Sequence, residues 1–279
     1  MTTQFLSDQA KNAADLIRNA DALIIGAGAG MSVDSGLPDF RGGEGLWNAY
    51  PKLKHLNLSF QDMANPKKFK GDPSLSWGWY GHRLIDYRSH EPHDGFRMLL
   101  EIVKLKNDNA RVYTSNIDGH FQKSGWDEYK VYECHGSIHH LQCTNKCTLD
   151  IWSADDFQPE VDLTTCELTN EFPTCPNCGR ISRPNVLMFD DYDFAATRTD
   201  MKMDMFYSWL RDQKNVVAIE IGAGTAIPTV RQACDYRATN VIRINPLHTH
   251  VSKPGDVSIP TGGLDGIKLI YDELMKEKQ

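Results

Sequence analysis

Apolar and polar positions along the chain follow two periods. Residues 1–20 have the helical one, with Phe5, Leu6, Ala13, Leu16 and Ile17 forming the apolar side of an amphipathic helix. The next apolar run, Ala22-Leu23-Ile24-Ile25, is short and uninterrupted, as a strand buried on both faces of a parallel sheet must be. Runs with strand character recur at 110–114, 131–137, 183–189, 215–221 and 241–245. Helical spacing returns in 75–88 (Trp77, Tyr80, Leu84, Tyr87), in 201–210, and in 266–278 with Ile267, Leu269, Ile270 and Leu274. From 51 to 73 the pattern is irregular and prolines stand at 51, 66 and 73, so short helices and a mobile loop are expected. Strand alternating with helix predicts an α/β fold, a Rossmann-like doubly wound parallel sheet with helices on both faces.

Composition narrows the chemistry. The 279 residues are 41% hydrophobic and 24% charged, within the globular range. No apolar run is long enough to span a membrane. Asp8 and Asp15 argue against a mitochondrial presequence, and no signal-peptide core is present, which predicts a cytoplasmic protein. The net charge is -7 and no basic run exceeds Lys67-Lys68, which disfavours nucleic acid as a partner. Seven cysteines without a secretion signal favour metal binding or burial over disulfides. Cys143-x3-Cys147 and Cys175-Pro-Asn-Cys178 form two knuckles, the four-thiolate set of a structural zinc ion with no open coordination position. Cys166, between the pairs, is the alternative ligand. The expected domains are a sheet domain from 1–41, 109–142 and 184–279, a helical insertion at 42–108, and a zinc module at 143–183.

Three stretches carry candidate chemistry. Gly26, Gly28 and Gly30 follow the first strand, where a tight turn brings backbone close to a ligand, and a helix beginning there would make a diphosphate site. Asn116 and Asp118, two apart at the end of a parallel strand, point the same way into the crevice where such sheets bind ligands. His135 ends another strand; a neutral imidazole accepts a proton near neutral pH. His139 and His140 are read as surface or supporting residues. Tyr80 and Arg83 share a helix face and suit a carboxylate, since a guanidinium grips one with two parallel hydrogen bonds. Arg83 stacked on an aromatic ring, or paired with Asp86, is the open alternative.

These motifs resemble the sirtuins, NAD-dependent protein deacylases. The match runs through Gly28-Ala29-Gly30, Ser32, 35–41 (SGLPDFR), Gly43 to Trp47, 114–118 (TSNID), 135–137 (HGS), the cysteine knuckles and 183–189 (RPNVLMF). Departures are Ser115 for glutamine, His120-Phe121 for leucine-histidine, Asp190-Asp191 for glycine-glutamate, and Ala223-Gly224 within the adenosine turn. The resemblance implies NAD as co-substrate, held by Gly28, Ala29, Gly30, Ser32, Asp39, Phe40, Arg41, Ser115, Asn116, Ile117, Asp118, Gly222, Ala223, Gly224, Asn245 and Leu264. It implies attack of an acyl-lysine oxygen on the nicotinamide ribose, with His135 as base and Asn116 and Asp118 at the reacting end. O-acyl-ADP-ribose, nicotinamide and free lysine would leave. It places an acyl-lysine peptide as an added strand against Val186, Leu187 and Phe189. The Tyr80-x-x-Arg83 pair resembles the subgroup that removes succinyl and malonyl groups. An ADP-ribosyltransferase, an NAD glycohydrolase and a non-catalytic sensor are the alternatives.

Overall fold

The computed structural model describes residues 2–38 and 42–276, without the side chains of 42–45. Asp39, Phe40 and Arg41, expected at the cofactor, lie outside the described residues. α1 (Thr3–Asn19) buries Ala10, Ala13, Ala14 and Ile17 and leads into β1 (Ala22–Ala27). Short helices follow: α2 (Gly42–Ala49), α3 (Pro51–His55), α4 (Phe60–Met63) and α5 (Pro66–Gly71). α6 (Pro73–Ser89) and α7 (Asp94–Lys104) complete the insertion. Pro51, Pro66 and Pro73 each stand in a first turn, where a missing N–H costs nothing, so the prolines start helices here. The stretch expected as partly a loop is mostly helical for that reason.

The chain then forms β2 (Ala110–Thr114), α8 (His120–Lys123), β3 (Val131–Glu133) and β4 (Gly136–Cys143). Three short strands follow in the cysteine loop, β5 (Trp152–Ser153), β6 (Val161–Asp162) and β7 (Glu167–Leu168), then β8 (Ser182–Val186). The last third is α9 (Thr197–Arg211), β9 (Val216–Ile221), α10 (Thr229–Arg237), β10 (Asn240–Ile244), β11 (Val257–Ile259) and α11 (Gly263–Met275).

Six strands form one parallel sheet in the order β11-β10-β9-β1-β2-β3. Alternation splits β1 between two cores: Leu23, Ile25 and Ala27 pack with α1, α7 and α11, while Ala22 and Ile24 pack with α9 and α10. A third core, with Trp77, Trp79, Tyr80, Leu84 and Ile138, joins the helical insertion to the antiparallel strands. The strand expected at 183–189 does not extend the parallel sheet. β8 pairs antiparallel with β4, and β11 takes the sixth place. Gly136 is the reason: at φ +76 it turns the chain out of β3, and a Cβ there would lie 2.1 Å from the Asn185 carbonyl.

Register positions the site. Ala27 pairs with both Thr114 and Ile221, and Thr114 with Glu133, so the loops after β1, β2, β3 and β9 leave the sheet at one level. The order of connection reverses between β1 and β9, and ligands bind in the crevice such a switch leaves.

Candidate active site

At the switch point two glycine turns lie back to back. The Gly28 N–H donates to the Ile221 carbonyl at 3.0 Å and the Gly30 N–H to the Gly222 carbonyl at 3.1 Å. A Cβ on Gly28 would stand 2.7 Å from the Ala223 Cα; one on Gly222, at φ +62, would stand 2.3 Å from the Gly30 carbonyl carbon. Each turn needs glycine because the other is there. The chain then makes two single helical turns, 29–31 and 33–35, with no long helix behind them. The expected helix dipole is therefore small, and an anion here is left to backbone N–H groups.

Ser32 joins this turn to the next. Its hydroxyl donates to Asp118 Oδ2 at 2.7 Å and accepts from Asn116 Nδ2 at 3.3 Å. Asp118 Oδ1 accepts from the His120 N–H at 2.9 Å, and the Asn116 N–H donates to Thr114 Oγ1 at 3.0 Å. His135 stands across the same cleft. Burial pushes its pKa below the ordinary 6.5, and a hydrogen bond to the Ser115 backbone opposes this in part. The imidazole is thus neutral at pH 7, as a base must be.

A cleft of about 820 Å³ runs past these groups. Gly28, Ala29, Ser32, Ser115, Asn116, Ile117, Asp118, His135, Gly222, Ala223 and Gly224 line it. Tyr80, Arg83, Val186, Leu187 and Phe189 line it too, with Ser59, Phe60, Gln61 and Ala64, which the irregular 51–73 pattern gave no reason to select. Gly30, Asn245 and Leu264 are not in the wall. Asn245 is fully buried; its Nδ2 donates to the Ala223 carbonyl at 2.9 Å and its Oδ1 accepts from the Leu247 and His248 N–H groups. It braces the 222–224 turn from behind. The Leu264 N–H caps Asp34 Oδ2 at 2.8 Å.

At the far end Arg83 is 7% exposed. Its Nε and Nη2 donate to the Tyr87 hydroxyl at 3.1 and 2.7 Å, and its guanidinium carbon lies 4.9 Å from the Trp79 ring centre. Burial raises the phenol pKa of Tyr80, so it stays protonated. Below the cleft Arg183 donates to both Asp191 oxygens, at 2.9 and 2.8 Å. Asp190 takes φ +53, the left-handed conformation the resemblance would give to glycine. The Leu187 and Phe189 N–H groups are bonded to the carbonyls of His135 and Ala64.

The four knuckle cysteines converge, their sulfurs all within 4.8 Å of one another. Cys143 and Cys178 sulfurs lie 3.7 Å apart, Cys147 and Cys175 3.5 Å. Bonds of about 2.3 Å in a tetrahedron separate sulfurs by roughly 3.8 Å, so the set fits zinc. Cys166 is buried elsewhere, against the helical insertion, and is not in the cluster.

A family model described as Sir2 family matches residues 28–219. The chain belongs to the Sir2 family. It is 32% identical over 250 residues to the NAD-dependent protein deacylase of Thermococcus kodakarensis, covering 89% of each chain. It is 28% identical over 253 residues to the NAD-dependent protein deacylase of Aquifex aeolicus, covering 90% of this chain and 94% of that one. A crystal structure of a Sir2 homolog–NAD complex shares the fold at TM-score 0.72 and 21% identity, over 96% of this chain and 94% of that one. A Sir2 structure with a deacetylated p53 peptide and 3′-O-acetyl ADP-ribose matches at TM-score 0.64 and 19% identity, over 96% and 97%. In this Sir2-family chain the unusual Ser115 lines the cleft, and the unusual His120 is buried behind it. No helix among the described residues is long and apolar enough to cross a membrane.

Proposed function

We propose that this cleft removes acyl groups from lysine side chains of proteins or peptides, with NAD as co-substrate. The observation that carries the reading is the neutral His135 imidazole sharing one cleft with the Ser32–Asn116–Asp118 cluster. In this reading the turns at 28–30 and 222–224 receive the diphosphate and adenosine ribose, and Asn116, Ile117 and Asp118 hold the nicotinamide end. His135 takes a proton from a ribose hydroxyl, which frees that oxygen to attack the acyl carbon. Val186, Leu187 and Phe189 border the acyl-lysine. Zinc bound by the four cysteines supports folding and takes no part in the reaction. The seven cysteines, free thiols with four gathered in one cluster, suit a reducing, cytoplasmic location.

Acidic acyl groups are the preferred substrates in this reading. Arg83 and Tyr80 line the cleft end, and a buried guanidinium beside a protonated phenol suits a carboxylate. The test is mass spectrometry of the protein incubated with NAD and paired acetyl-lysine and succinyl-lysine peptides. O-acyl-ADP-ribose from the wild type and none from His135→Ala is the expected result. Arg83→Met should depress desuccinylation far more than deacetylation; equal losses would refute the acidic preference. ADP-ribose released without any change in the peptide would refute deacylation in favour of NAD hydrolysis.

A further inference from the structure

The loop carrying Asn116 and Asp118 has two sides. One borders the large cleft; the other borders a second cavity of about 330 Å³, whose wall includes Asp118, Gly119, Ser137 and His139. On that second side His139 Nε2 lies 2.8 Å from the Asp118 backbone oxygen. A carbonyl only accepts, so Nε2 carries the hydrogen. The ring rests on Gly119, which adopts φ +73; a Cβ there would stand 2.8 Å from His139 Cδ2 and 2.9 Å from Nε2. Gly119 therefore permits both the turn and the approach of the imidazole. From the β4 side the His139 N–H donates to Ser137 Oγ at 3.3 Å, and its carbonyl accepts from the Ala154 N–H at 2.9 Å.

Asp118 is thus fixed at three points. Ser32 and the His120 N–H hold its two carboxylate oxygens, and His139 holds its backbone. We infer that His139 is a positioning residue, which sets the pitch of the 117–119 turn so that the Asp118 carboxylate stays on Ser32 and at the nicotinamide end of the cleft. The inference rests on the reading of that end as the NAD site. His140 does not share the role, since its Nδ1 is buried with no hydrogen-bond partner.

The experiment is calorimetric titration of NAD into the wild type, His139→Phe, His139→Gln and His139→Asn, with thermal melts and steady-state kinetics alongside. Phe keeps a ring over Gly119 and loses the donor. Gln returns an N–H near the Nε2 position, and Asn holds its N–H too short to reach. NAD binding about tenfold weaker in the Phe and Asn variants is expected, the size of one well-placed hydrogen bond, with Gln close to wild type. KM for NAD should rise by a similar factor while kcat changes less, with all melting temperatures near the wild-type value. Equal NAD affinity in wild type and His139→Phe would overturn the inference alone. Gln as weak as Phe and Asn would also overturn it, reducing His139 to a filler of space. A wild type that binds no NAD would remove the reading of the cleft and the inference with it.

Discussion

His120 is fully buried, and among the described residues neither ring nitrogen has a hydrogen-bond partner in good geometry. Its ring packs edge-on against Phe96, 5.8 Å between centres. Burial drives its pKa down, with Asp118 and a long contact to the Tyr87 backbone acting in the opposite direction. An unpartnered buried polar group costs about 1–3 kcal/mol, and leucine has a similar bulk with no polar atom. His120→Leu should therefore stabilise the fold by about 1 kcal/mol in urea titration. NAD affinity should be unchanged, because residue 120 holds Asp118 through its backbone N–H and not through its side chain. A clear loss of stability would mean that the ring holds a partner, the Tyr87 backbone being the nearest candidate. His135 gives the second expectation at this scale. Its pKa is below 6.5, so the base is already neutral at pH 7 and the acid limb of kcat/KM should fall at a pH under 6.5. A limb above that value would point to another group.

α7 shows how an element depends on one side chain. His93 caps it: Nδ1 accepts from the Gly95 N–H at 3.0 Å, while Nε2 donates to the Met31 carbonyl at 2.8 Å. The same ring so ties the first turn of α7 to the glycine loop. The sequence pattern places 94–104 within a helical insertion without marking α7 itself, although Phe96, Leu99, Ile102 and Val103 share one face; histidine is not a usual cap, and the Pro-His-Asp-Gly run across its start has the composition of a turn. The cysteine knuckles were legible because zinc demands its spacing of the chain. Removing the metal with a chelator, or Cys175→Ser, should lower the melting temperature by several degrees and release about one zinc ion per chain. Unchanged stability after complete metal loss would refute a structural ion. The strand at 183–189 was legible as a strand but not as a member of the right sheet. Its partner is chosen by the left-handed turn at Gly136, and φ is not written in a strand pattern. For the candidate site the motifs located Asn116, Asp118 and His135, which line one cleft. They could not give Asn245 its bracing role or find His139, since both act through long-range contacts to backbone carbonyls.

At the scale of the molecule the titrating histidines are unevenly placed. His82, His93, His120, His135 and His140 all have pKa values lowered chiefly by burial, His140 to about 4. His135 lines the cleft, His93 is bonded to the Met31 carbonyl of the glycine loop, His120 is buried beside Asp118, and His82 shares a hydrogen bond with Tyr50 in the helical insertion. A group with a depressed folded pKa is neutral in the fold and binds a proton more readily once unfolded. Its contribution is therefore complete above about pH 6.5 and is lost as pH falls from there toward the folded value. His140 alone accounts for on the order of 3 kcal/mol across that window. Stability should thus begin to fall below about pH 6.5, before the surface carboxylates that are held low, such as Asp62 and Asp193, are protonated. The strands of the parallel sheet contain no histidine: 22–27, 110–114, 216–221 and 240–244 are apolar apart from the buried Glu220–Arg243 pair and a few polar residues. Acid should therefore loosen the molecule from the cleft outward. Hydrogen exchange at pH 5.5 should show lost protection in 28–36, 93–99, 116–123 and 136–143 while β1 and β9 stay protected. Uniform loss across both sets would mean that the cleft segments and the sheet unfold as one unit, and that the histidines only lower its overall stability.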